Sequence, residues 1–259
     1  MSIDAMVTAG GIPKEDDPLN DFTKGKSKAL LDVAGKAMAQ WVLDALGASK
    51  SVDNVVVVGL DESSGLTCKK ALHFIPNQGA MLNNIIGAAR KIAEINPKAE
   101  SVLITSSDIP TITPEMVDWV VAQLNADDDM LFNVVERATM EARFPDSRRT
   151  FTKLKGIEVC GGDMNIVTME TILAEDSIWP QIAAARKNPL KQASLIGFDT
   201  LLVVLLRLAD LDAAVRIASK NLGINGRAIV SPYPELAMDV DKVHHLETIR
   251  RDLESSPKQ

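Results

Sequence analysis

Aromatic residues are scarce: Phe, Trp and Tyr together supply 4% of the 259 residues, with a single Tyr. A chain of this length can bury a sizeable core, so that core must be aliphatic, built on Leu, Ile, Val, Ala and Met. Basic residues are outnumbered, and the formal net charge of −7 excludes the broad basic face that nucleic-acid binding needs. It leaves room for a local basic pocket. Cysteine is limited to Cys68 and Cys160, which have no metal-site spacing and form no disulfide framework. They read as ordinary thiols of a reducing cytoplasm. The longest apolar run, Leu201 to Leu206, falls far short of the roughly 20 residues that span a bilayer. No signal peptide is read, because the first apolar segment is short and runs straight into glycines. The expectation is a cytoplasmic protein with neither membrane nor nucleic acid as partner.

What the chain does contain begins at once. Met6-Val7-Thr8 reads as a buried strand and runs into Ala9-Gly10-Gly11. Glycines at the carboxyl end of a strand let the backbone turn tightly and approach a ligand. In open α/β sheets, ligands bind at that edge, and exposed backbone N–H groups there can hold phosphate oxygens. An acidic loop follows, then Lys28-Ala29-Leu30-Leu31-Asp32-Val33-Ala34-Gly35-Lys36 and an amphipathic helix carrying Trp41, Val42, Leu43 and Leu46. Gly25-Lys26-Ser27 imitates the end of a P-loop. It is rejected because that motif needs a glycine where Asn20 stands, and no strand leads into it.

These segments resemble the opening of the MobA-like nucleotidyltransferases, which have the GT-A nucleotide-diphospho-sugar transferase fold: strand, Ala-Gly-Gly, variable loop, Lys-x-Leu-Leu-x-Val-x-Gly-Lys, helix. The resemblance implies that Ala9, Gly10 and Gly11 wrap a triphosphate and that Lys28 neutralises it. Two features depart from the family, one of them the replacement of the usual Thr-Pro-Glu-Asp after Asp241 by Lys242-Val243-His244-His245. The arginine usually found soon after the glycines is missing, and Lys14, Lys24 and Lys26 are open as substitutes.

Further on, Asn54 to Val58 and Leu72 to Ile75 read as strands, and Gln78-Gly79 opens a helix running to about Ile95. By the resemblance, Gly79 and Asn83 face the nucleotide base. Ser101 to Ser106 is a strand ending in Ser107-Asp108-Ile109-Pro110. Thr113-Pro114-Glu115 starts a helix, with threonine suited to the N-cap and proline to the first turn. The alternation of strands and helices predicts a three-layer α/β/α, Rossmann-like architecture of GT-A type, with a mostly parallel central sheet.

The middle is less regular. Met130 to Val135 reads as a strand, Glu136 to Ser147 has no clean period, Arg148 to Leu154 suits a strand, and Gly156 to Gly162 suits a turn. The resemblance places an acceptor-binding lobe here, with Gly161, Gly162 and Asn165 as its candidates. Helices are expected over Met169–Ala174, Ile178–Ala185, Phe198–Leu208 and Ala213–Lys220. The apolar block they form reads as a helical subdomain or as the surface of a homodimer. The chain is thus expected to be one domain, with residues 136–225 a substrate-binding insertion before two last strands, Ala228–Val230 and Leu236–Val240. A closing helix follows from His244.

Carboxylates carry the chemistry. Asp108, at a strand end, can hold Mg²⁺, which takes one or two carboxylates together with substrate phosphates. The Ser-Asp-Ile-Pro segment matches the resembled family's metal-binding Asp-x-Pro. Asp239-Val240-Asp241 offers a second carboxylate, and Asp241 stands where the family completes its metal site. His244 and His245 point about 100° apart on a helix and do not converge on one ion, so they read as a solvated pair. The resemblance implies a Mg²⁺-dependent nucleotidyltransferase of the EC 2.7.7 type. It would move NMP from an NTP, CTP or GTP, to a small phosphorylated metabolite, sugar or cofactor precursor and release pyrophosphate. A glycosyltransferase on the same fold and an inactive nucleotide-binding module are the alternatives.

Overall fold

The computed structural model of the protein describes residues 2–174 and 209–255. The helices expected over 178–185 and 198–208 lie outside these residues. A central sheet begins with β1 (Ile3–Thr8), which pairs in parallel with β4 (Val52–Val58) on one side and β6 (Ser101–Ser106) on the other. β5 (Ala71–Ile75) extends it in parallel beyond β4. Uninterrupted β-branched runs such as Val55-Val56-Val57-Val58 suit strands covered on both faces. A small ribbon of β2 (Asp32–Val33) and β3 (Lys36–Ala37) lies apart.

Alternate residues of β1 serve opposite layers, as a strand's period of two requires. Ala5 and Val7 pack with Val42, Leu43 and Leu46 of α2 (Met38–Ala48) and with Val117 and Val120 of α4 (Pro114–Ala122). Met6 faces the other way, toward Ala88, Ala89 and Ile92 of α3 (Met81–Ile95). Each fully buried valine or leucine contributes roughly 1.5–3 kcal/mol, so these layers rest mainly on aliphatic side chains, with Phe74, Trp119 and Tyr233 packed partly buried against them.

The far half of the sheet is mixed. β10 (Met164–Thr168) runs antiparallel between β6 and β7 (Met130–Glu136). β9 (Ile157–Gly161) continues along β7, and β8 (Thr152–Leu154) folds back on β9. β11 (Gly226–Ser231) lies parallel to β7. Several sequence expectations change here. Ile157–Gly161 is a strand and not a turn, because Gly156, at φ +80°, turns the chain within one residue and frees the rest to pair. Only Thr152–Leu154 of the expected Arg148–Leu154 strand forms. The aperiodic segment after β7 contains α5 (Arg137–Arg143). Leu236–Val240 is not a strand. Pro234 opens a 3-10 turn to Ala237, and the following residues make single bonds across the sheet edge in place of a ladder. The stretch that begins the expected insertion supplies β8, β9, β10 and the short α6 (Met169–Leu173), and three of these are strands of the main sheet. α7 (Leu211–Leu222) and the closing α8 (Val243–Ser255) complete the described residues, in which no helix is long and apolar enough to cross a membrane.

Candidate active site

β1 and β6 end side by side, with Thr8 opposite Ser106. Beyond them the chain continues as Ala9-Gly10-Gly11 and as Ser107-Asp108, and the Ser107 N–H donates to the Thr8 carbonyl at 3.2 Å. The diglycine turn and Asp108 therefore share one rim. Lys28 is suspended from the same turn. Ser27 Oγ donates to the Ala9 carbonyl at 2.5 Å, and the Lys28 N–H donates to the Gly11 carbonyl at 2.9 Å. The lysine side chain then reaches across the rim, with Nζ 2.6 Å from Asp108 Oδ2 and 2.8 Å from Asp241 Oδ1.

Asp241 arrives from the far end of the chain. The Asp163 N–H donates to the Leu236 carbonyl at 2.7 Å and the Val240 N–H to the Asp108 carbonyl at 2.9 Å. These two bonds lay residues 236–241 over the rim. Asp239 is buried beside Asp108, and the Arg149 guanidinium pairs with its Oδ1. One oxygen from each of Asp108, Asp239 and Asp241 lies within 4.8 Å of the others. Ser106 Oγ donates to the remaining oxygen of Asp108.

Lys28 and Arg149 face four carboxyls, of Asp108, Asp163, Asp239 and Asp241. Burial works against the charge of Lys28, but Asp108 and Asp241 outweigh it and hold the ammonium above its usual range. Burial, reinforced by the charge of Asp108, pushes Asp163 up to about 7. Asp239 rises, through burial first and then through the proton it shares with Asp241. Asp241 moves down: burial opposes the shift, but its bonds to Asp239 and Lys28 prevail. Both raised carboxyls owe the shift to burial first and to their acidic neighbours second. The donor set is all oxygen, which suits a hard divalent cation such as Mg²⁺.

Of the expected residues, Ala9, Gly10, Gly11, Lys28, Ser107, Asp108 and Asp241 meet at this rim. Gly79 and Asn83 lie beside it, in the loop before α3 and on its first turn. Gly79 takes φ +85°, and the exposed Asn83 reaches back to the Gln78 carbonyl at 3.4 Å. Gly161, Gly162 and Asn165 sit at the bend between β9 and β10. A Cβ on Gly161 would meet Phe132, and one on Gly162 would meet Asn133. The Asn165 amide is committed to the Asn133 N–H at 2.8 Å and the Gly162 carbonyl at 3.1 Å. What this bend sends toward the carboxylates is Asp163.

Three residues that the sequence reading gave no role at the site belong to its surroundings. Arg149 follows Arg148, whose φ of +49° turns the loop after α5. Asp163 follows the Gly-Gly pair. His245 is not solvated. It is 2% exposed, its Nδ1 accepts the Asp241 N–H at 3.3 Å, and its Nε2–H donates to the Ser147 carbonyl at 2.8 Å. Burial lowers its pKa, in keeping with this neutral tautomer. The four-residue spacing from Asp241, at the start of a helix, was its only local signal.

The family model of the MobA-like NTP transferase domain matches residues 22–199. No curated protein matches the chain. Among solved structures, a hypothetical transferase from Thermus thermophilus is 32% identical over 95% of this chain and 100% of its own, with a TM-score of 0.82. A CMP:2-keto-3-deoxy-manno-octonic acid synthetase complexed with CTP is 12% identical over 98% of both chains, with a TM-score of 0.62. A 4-diphosphocytidyl-2C-methyl-D-erythritol synthase from Anaerococcus prevotii is 11% identical over 98% of this chain and 96% of its own, with a TM-score of 0.61. At such identities the last two establish a shared fold.

Proposed function

We propose that this chain, which belongs to the MobA-like NTP transferase family, transfers NMP from a nucleoside triphosphate to a small phosphorylated acceptor and releases pyrophosphate. The observation that carries the reading is Lys28 Nζ, bridging Asp108 and Asp241 directly beside the diglycine turn. The turn's N–H groups and the Lys28 ammonium suit the β- and γ-phosphates. Asp108 and Asp241 would hold Mg²⁺, which supplies positive charge at the phosphates when bound. An oxygen of the acceptor attacks the α-phosphorus. The new O–P bond forms as the bond to the bridging oxygen breaks, and pyrophosphate leaves with that electron pair. A phosphate oxygen is already anionic at neutral pH, so such an acceptor needs no general base. Positioning and charge neutralisation carry the rate, as in phosphoryl transfer generally. Gly79 and Asn83 face the base on this reading, and Gly161, Gly162 and Asn165 shape the acceptor side through Asp163.

CTP is the first nucleotide to test, since one fold neighbour is complexed with it and another is a diphosphocytidyl synthase; GTP is the second. A thermal-shift screen of the four NTPs with Mg²⁺ should single out one of them. Pyrophosphate release should then appear only with a matching acceptor. Consumption of a sugar nucleotide without pyrophosphate would replace this reading with glycosyl transfer.

A further inference from the structure

The end of β4 is bonded main chain to main chain with its neighbours, the Ala9 N–H donating to the Val58 carbonyl at 2.8 Å and the Gly59 N–H to the Ile75 carbonyl at 2.9 Å, and one side-chain amide ties the loop beyond β5 to the end of β1. Gly59 follows β4 at φ +104°, so close to the diglycine turn that an added Cβ would lie 2.3 Å from Gly10 Cα. Next to both stands Asn77, just past β5. A Cβ on Gly10 would lie 2.9 Å from Asn77 Nδ2. That Nδ2 donates to the Gly10 carbonyl at 3.1 Å. The other end of the same amide, Oδ1, accepts the Gly79 N–H at 2.9 Å and Asn84 Nδ2 at 3.3 Å. Asn84, buried on the first turn of α3, accepts the Gln78 N–H at 2.7 Å through its own Oδ1. The loop from Pro76 to Ala80 is thus tied inward to α3 by Asn84 and sideways to the diglycine turn by Asn77.

We propose that Asn77 is a positioning residue for nucleotide selection. It sets the loop before α3 at one fixed distance from the diglycine turn, so that base and phosphates meet a single preformed cradle. The proposal rests on the function above, in which the turn takes phosphates and the loop faces the base. Its physical content is preorganisation. A loop already fixed costs no ordering when ligand binds, so the contacts it makes appear in full as affinity. An amide is required, because one end must donate and the other accept. A carboxylate could keep the Gly79 and Asn84 bonds but could not donate to the Gly10 carbonyl.

The test compares ligands with and without a base. Dissociation constants of the full chain are measured by calorimetry, with Mg²⁺, for the four NTPs and for inorganic tripolyphosphate. In the unaltered protein one NTP should bind more tightly than tripolyphosphate. In N77A that NTP should weaken about tenfold, tripolyphosphate should stay within about twofold, and the spread among the four NTPs should narrow. N77D keeps the loop's inner bonds and serves if N77A fails to fold. Its added charge should weaken every ligand, yet the ratio of the preferred NTP to tripolyphosphate should fall as in N77A. An equal loss for both ligands in N77A, or an unchanged ratio in N77D, overturns the role of Asn77. If no base adds affinity even in the unaltered protein, the functional reading itself fails, and the two failures are told apart.

Discussion

The rim contributed by the first part of the chain is backbone, whereas the rim contributed by its last part is charge. On the first side, Gly10 and Gly59 touch main chain to main chain, and Ser27, Lys28 and Asn77 bond to the carbonyls of Ala9, Gly11 and Gly10. On the second side, Arg149, Asp239 and Asp241 reach the site as side chains on segments that cross the sheet edge by isolated bonds. Asp108 and Lys28 join the two. The first side should therefore fail by loss of structure and the second by loss of electrostatics.

The largest effect is expected where the two sides meet. D108N keeps the shape and removes the charge facing Lys28. Transition-state charge stabilisation should be lost, and pyrophosphate release should fall about a thousandfold. The fold should survive, because Lys28 keeps Asp241 as a partner and the amide is close to the carboxylate in shape. A loss below tenfold would remove Asp108 from the chemistry. A collapse of the fold would mean that the charged side is structural after all.

Next comes G59A, which should do the reverse. The new Cβ would meet Gly10 backbone at 2.3 Å, at a φ that side chains rarely adopt, so a destabilisation of about 2–4 kcal/mol is expected. The melting temperature should drop sharply, while the protein that remains folded should keep its Mg²⁺ affinity. An unchanged melting temperature would show that the packed turn is not what holds the first side together.

A smaller effect should appear with pH. Burial pushes Asp163 up to about 7 in the folded protein and also raises Asp239, both from an ordinary 3.8. The folded state thus binds protons that the unfolded state has released, and stability must fall as pH rises. The contribution is complete below about pH 4 and is lost as pH rises through about 7 and beyond. Without metal, the melting temperature should decline by a few degrees from pH 5.5 to 8.5, and saturating Mg²⁺ should flatten the curve. A metal-free profile that rises over this range would contradict the upward shift that burial gives these two carboxyls.

The same division explains what could be read from residues alone. Local pattern puts Gly10-Gly11 and Asp108 at the ends of buried strands, while the roles expected of them and of Lys28 come from the family resemblance. Arg149, Asp163 and His245 are not placed in this way, because their surroundings are set by bonds between residues far apart, such as Val240 to Asp108 and His245 to Ser147. The parallel half of the sheet was legible from its β-branched runs. The reversal of β10 between β6 and β7 was not, since nothing in Met164–Thr168 encodes strand direction. Leu236–Val240 has the composition of a strand and is denied a ladder by its position over Asp108.

The smallest effect belongs to the lysines of the acidic loop. Lys14, Lys24 and Lys26 were the local candidates to replace the arginine missing after the glycines, and all three are exposed. An exposed ammonium on a flexible stem is screened within about 10 Å at 0.1 M salt and contributes little to a fixed geometry. Each single alanine substitution should therefore leave the KM for the preferred NTP within about twofold. The contrast is with R149Q, which removes a guanidinium held within the carboxylate cluster and should raise the KM for the acceptor or the nucleotide about tenfold or more. Should one of the three lysines prove the costlier loss, the first side of the rim would carry its own charge, and the separation between a backbone side and a charged side would be gone.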